Sequence, residues 1–164
     1  MALKSDRYEF QTDVSFFMNE VAERGGVVVH ATGITGILVS PSGAAMDSSL
    51  NVVTYAANPS GKAPVGILLN DMVNLDLTRQ HINWHKNEIQ KGGKVTILRK
   101  GYVVTNQIHV SGSPIAGSYA YLADSGLIST STRALFLDSG AQPIGRFLTA
   151  KDGDGYAKVE INLP

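Results

Sequence analysis

Three stretches of this chain carry residue types at spacings that chemistry could use. In His81-Ile82-Asn83-Trp84-His85 two imidazoles stand at i and i+4, with Glu88 three positions further on. On a helix the three would share a face and could hold zinc. A zincin-type hydrolase needs Glu directly after the first His as its base, and Ile82 occupies that position. The stretch reads better as a polar connection anchored by Trp84, a ring large enough to demand burial or an interface. Asn58-Pro59-Ser60-Gly61-Lys62 has the outline of the end of a phosphate loop. Ala56 stands where the first glycine is required, and Ala63 where a Ser or Thr would hold the metal, so it reads as a turn. Asp152-Gly153-Asp154-Gly155 offers two carboxylates but lacks the spaced ligands and closing Glu of a calcium loop. An Asp-Gly turn feeding the last strand accounts for it. No Gly-x-Ser-x-Gly elbow is present. The expectation is a protein without catalytic residues, metal or cofactor.

The composition points the same way. The chain has 164 residues, 43% hydrophobic and 17% charged, with 17 glycines and 6 prolines. That charge content is below the usual ~25% of soluble domains and suits a turn-rich β protein whose surface is partly covered by partners. Fourteen basic residues balance fourteen acidic ones. A general nucleic-acid binder needs a basic excess or stripe. Lys91, Lys94, Arg99 and Lys100 alternate with apolar residues and read as one solvated strand face. There is no cysteine, which excludes disulfides and thiolate chemistry. Residues 1–10 carry Lys4, Asp6, Arg7 and Glu9 and do not read as a signal peptide. No window has the ~18 consecutive apolar residues of a membrane helix.

These residues must sit on something, and the patterning predicts a mainly β body, a sandwich or barrel. Residues 1–11 are expected as an extended arm with apolar anchors Leu3, Tyr8 and Phe10, and 12–164 as a single β-rich domain. Thr12 or Asp13 could cap a short helix carrying Val14, Phe17, Met18 and Val21 at i, i+3, i+4, i+7, stopped by Gly25-Gly26. Strands are expected over 27–31, 34–40 and 50–55. A pair is expected at 65–69 and 72–77 around Asn70-Asp71. Further strands are expected over 94–99, 102–106, 107–110, 118–122, 134–137, 144–148 and 157–163. The last alternates Ala157, Val159, Ile161 and Leu163 with Lys158, Glu160 and Asn162. Gly61 to Leu69 and Gly140 to Leu148 nearly repeat each other: Gly, then Pro, a β-branched residue, Gly and an apolar run. Proline suits the first residue of a strand, and the glycine after it marks a bulge or a close backbone approach.

Whole phrases of the chain resemble a known family. They are residues 13–28 (Asp13-Val14-Ser15-Phe16-Phe17 onward), 74–86 (Asn74-Leu75-Asp76 through Trp84-His85-Lys86), Lys91-Gly92-Gly93-Lys94-Val95, and 145–159 (Gly145-Arg146-Phe147 onward). Together they look like the head decoration, or cement, proteins of tailed bacteriophages, especially marine and cyanobacterial ones. The resemblance implies a β-rich body on the outer capsid surface of the virion, made in the host cytoplasm and bridging neighbouring major capsid proteins. It also implies self-association, often as a homotrimer, with neither nucleic acid nor membrane as partner. It brings no catalytic residues. Leu3, Tyr8, Phe10, Phe16, Phe17, Arg79, Trp84 and His85 are the candidate capsid or subunit contacts. The alternative is a carbohydrate- or ligand-binding β module of a phage tail or fibre. A metal enzyme built on His81 and His85 ranks behind both.

Overall fold

A computed structural model describes residues 3, 4, 6–31, 51–72, 88, 89, 91–130 and 143–164. In chain order the strands are β1 (Tyr8–Met18), β2 (Ala22–Glu23), β3 (Val27–His30), β4 (Val52–Thr54) and β5 (Pro64–Met72). They continue with β6 (Glu88–Ile89), β7 (Lys94–Thr105), β8 (Tyr119–Leu122), β9 (Ile128–Ser129), β10 (Gly145–Phe147) and β11 (Ala157–Asn162). Among the described residues a 3-10 turn, Asp124–Gly126, precedes β9.

Nine strands form one mixed sheet in the order β1-β4-β3-β5-β7-β11-β10-β8-β9, and β1 also pairs with β7. That extra pairing closes a circuit β1–β4–β3–β5–β7, so five strands make a small barrel-like ring. The body is mainly β, as the patterning predicts. β7 is the shared spine. Along one edge it carries β1, Tyr8↔Tyr102 through Phe17↔Lys94. Along the other it pairs first with β5, Met72↔Lys94 to Ile67↔Leu98, and then with β11, Asn162↔Lys100 to Ala157↔Thr105.

Two apolar cores follow from this arrangement. Phe16, Met18, Val28, Val53, Leu68 and Ile97 come from all five ring strands and pack together. Val27, Ile67, Leu98, Phe147, Val159 and Ile161 pack the outside of the ring wall against β8, β10 and β11. The β3 and β5 strands therefore have a core on each face. This explains why Val27-Val28-Val29 and Ile67-Leu68-Leu69 are continuous apolar runs, without the alternation of a half-exposed strand. Each such side chain contributes about 1.5–3 kcal/mol through burial.

Four local expectations change. The helix over 12–24 is absent; most of that stretch is the inner half of β1. The buried positions Phe16 and Met18 keep the two-residue period of a strand, while Val14 and Val21 of the expected stripe are exposed, so the helical spacing is coincidental. Asn70-Asp71 makes no turn, because Asn70 pairs with Thr96 and Asp71 with Val95 as β5 continues along β7. A long neighbouring strand overrides local turn preference. Likewise β7 runs without interruption through Gly101. The segment expected as an arm lies on the body: residues 8–11 open β1, and Leu3, only 7% exposed, bridges Thr105 and joins the outer core. The strands expected over 34–40 and 134–137 lie outside the described residues.

Candidate interaction surface

Strand register assembles the most distinctive surface of the molecule. Directly paired residues of an antiparallel sheet point to the same face. Tyr8 pairs with Tyr102, Tyr102 with Glu160, Glu160 with Arg146, and Arg146 with Tyr119. One row therefore crosses β1, β7, β11, β10 and β8 in turn. It faces outward: β11 buries Ala157, Val159 and Ile161 and turns Lys158 and Glu160 the other way. Tyr8 is 54% exposed and Tyr119 62%.

Side-chain contacts tie the row together. The Tyr8 and Tyr102 rings stack with centroids 6.0 Å apart. Arg146 Nε donates to Glu160 Oε2 at 2.5 Å. Tyr119 and Tyr121 lie 6.5 Å apart, centroid to centroid. Lys158 Nζ sits 3.9 Å from the centre of the Tyr102 ring and pairs with Asp6 at 3.3 Å. A second lysine repeats this: Lys4 Nζ lies 4.1 Å from the Tyr156 ring and pairs with Asp152 at 3.0 Å. With Leu3 buried beneath, these contacts strap Lys4 and Asp6 to the edge of the row.

The Asp152 turn serves that strap. Asp152 Oδ1 accepts the Tyr156 and Asp154 N–H groups at 2.8 and 3.0 Å, while Oδ2 takes Lys4. The Tyr156 backbone hydrogen bond, reinforced by Lys4, holds this carboxyl below the usual Asp range. The same pair holds the Lys4 ammonium above its ordinary value, chiefly through its hydrogen bond to Asp152. Both carboxylate oxygens thus have protein partners, which is the reverse of a loop waiting for calcium. At Asp13 burial opposes ionisation, but the Ser15 hydroxyl and N–H, with Arg99 nearby, outweigh it and keep the carboxyl low.

A second cluster is structural. The Tyr55 hydroxyl donates to the Glu23 carbonyl at 2.5 Å and accepts the Gly26 N–H at 3.2 Å. Glu20 Oε1 accepts from the Thr54 hydroxyl and the Tyr55 N–H. Burial pushes the Tyr55 phenol far up, so it stays protonated at neutral pH and acts as a tie between β4 and the β2–β3 connection. The buried Thr105 hydroxyl does the same for Gly25, donating to its carbonyl at 3.0 Å.

Of the residues singled out from the sequence, Tyr8 lies in the row and Phe10, at 72%, is the most exposed aromatic of β1. Phe16 is buried in the ring core beside His30, with ring centroids 5.7 Å apart, and Leu3 is buried in the outer core. Phe17 is half-buried, with Lys94 Nζ 6.0 Å from its ring. Arg79, Trp84 and His85, with His81, lie outside the described residues. The Glu88 backbone belongs to strand β6, paired with Glu23, instead of a helix. No group of three or more metal-ligating side chains occurs among the described residues. Tyr102, Glu160, Arg146 and Tyr119 were not singled out, because they meet only through register. The polar alternation 158-160-162 was the one signal that pointed to this face.

No family model matches the chain, and no curated protein matches it either.

Proposed function

We propose that the protein is a structural virion component, a decoration or cement protein that binds the outer surface of a phage head and reinforces contacts between major capsid proteins. The observation that carries this reading is the outward row of tyrosines and an Arg–Glu pair on a stiff, doubly cored sheet. Tyrosine and arginine are among the residues protein interfaces favour at their energetic centres. Tyrosine contributes large contact area at small entropic cost, and arginine's planar fork makes several directed hydrogen bonds. A closed ring of paired strands presents such a face on a fixed backbone, which keeps the binding cost low. The phage-like phrases of the sequence supply the identity of the surface to be bound. The work done is additive: a modest contact repeated over many lattice positions, with no covalent step.

Quantitative mass spectrometry of purified particles tests this directly. The chain should be present at a copy number comparable to the capsid protein, and particles lacking it should rupture at lower temperature. Absence from the particle, or unchanged heat resistance without it, would overturn the reading. The exposed Tyr8 and Tyr119 rings also favour a second reading, carbohydrate binding by stacking; saturable glycan binding that is lost on replacing Tyr119 by Ala would select it.

A further inference from the structure

The row Tyr102–Glu160–Arg146–Tyr119 is complementary to itself, and from this we infer that the same face pairs two copies of the chain around a two-fold axis. Its order is aromatic, anionic, cationic, aromatic. Turn a second copy through 180° about an axis between β11 and β10 and lay its face on the first. Glu160 then meets Arg146 of the second copy, Arg146 meets its Glu160, and each end tyrosine meets the tyrosine of the opposite end. No like charges face each other in this register, whereas a shift by one strand sets Glu160 against Glu160. A self-complementary patch of this kind is what an isologous contact requires.

Other features agree. The two central side chains are available, with Arg146 59% and Glu160 39% exposed. Their existing ion pair pre-orients both charges, so four charges can form a closed square. Lys158, two residues from Glu160 on the same face of β11, is matched by Asp6. The chain as a whole carries fourteen charges of each sign, leaving no long-range repulsion between copies. Four strands at ~4.8 Å spacing make a face only about 15 Å across, at the low end for a specific contact. The pair should therefore form only at micromolar or higher concentration of the free chain. This contact makes dimers, whereas the family resemblance led to a trimer. The row is the face assigned above to the shell, so the two readings bear on each other: the pair belongs to the free chain and must open before the row can dock on a shell.

Charge exchange tests it. Arg146→Glu gives a copy with two carboxylates at the centre of the row, and Glu160→Arg a copy with two guanidinium groups. Both sites are solvent-facing, so each variant should fold, which circular dichroism and a melting curve verify. In sedimentation velocity over a concentration series, the wild-type protein should show a monomer–dimer equilibrium. Each variant alone should dimerise at least roughly tenfold more weakly. Mixed in equal amounts they should form a heterodimer, and the double exchange R146E/E160R should dimerise again. A wild-type monomer at several hundred micromolar, a trimer, dimers indifferent to either exchange, or a mixture that fails to associate would each overturn the proposal.

Discussion

Replacing Gly145 by Ala tests the close approach that the near-repeat of the sequence announces. Gly145 opens β10 and pairs with Ile161 on one side and Ala120 on the other. A Cβ there would lie 1.8 Å from the Glu160 carbonyl oxygen and 3.0 Å from the Ile161 Cα. A relaxed carbon–oxygen contact needs about 3.3 Å, so β10 and β11 must separate by roughly 1.5 Å locally. That is more than a ladder hydrogen bond can stretch before it fails. β10 has three paired positions on β11, and losing two or three of these bonds, at about 0.5–1.5 kcal/mol each, gives about 3 kcal/mol. For a chain of this size that is roughly 6–12 °C in Tm. Gly66, the matching glycine of the other copy, would place a Cβ 2.4 Å from both Ile97 Cγ2 and the Leu98 oxygen, and its replacement should cost a similar amount. Gly153→Ala is the control: nothing lies within 4 Å of its Cβ, so the change should be neutral or slightly stabilising. Urea unfolding followed by tryptophan fluorescence and circular dichroism measures all three. If Gly145→Ala unfolds within about 0.5 kcal/mol of the wild type, the close packing of β10 on β11 is wrong.

Two further outcomes follow from the strap and from the Tyr55 tie. Leu3→Ala should lower stability by about 2–3 kcal/mol in urea unfolding, because this side chain fills the outer core; a change below ~0.5 kcal/mol would return Leu3 and Lys4 to the status of a loose arm. Tyr55→Phe removes the hydroxyl that bonds both the Glu23 carbonyl and the Gly26 N–H and should cost about 1–2 kcal/mol at pH 7. The phenol's folded pKa lies above its unfolded value near 10, so wild-type stability is complete below pH 10 and declines as pH rises beyond it. The Phe variant should lack that part of the alkaline decline, and parallel wild-type and variant curves above pH 10 would refute the assignment.

Much of the local structure was already written in the residues. Val27 to His30, Val52 to Thr54, Tyr119 to Leu122 and Ala157 to Asn162 are strands where β-branched and aromatic runs or strict alternation demanded them. Pro64 opens β5 and Gly145 opens β10, and Gly66 and Gly145 both mark close backbone approaches, as their backbone chemistry requires. These features are local: a missing Cβ or a two-residue period acts on its immediate neighbours and can be read in order along the chain. The tertiary structure decided the rest. β1 is a strand because β7 offers it a ladder, and it buries Phe16 and Met18 while leaving Val14 and Val21, half of the expected helical stripe, exposed. Leu3 belongs to the core only because β7 carries Thr105 past it. The row from Tyr8 to Tyr119 exists only in register, its members supplied by five strands, and a slip of one residue in any of them would turn that side chain to the buried face. The amino-acid pattern set which segments would be extended and which side of each would be wet. Pairing across the sheet, a long-range choice, determined which of the wet residues would stand together.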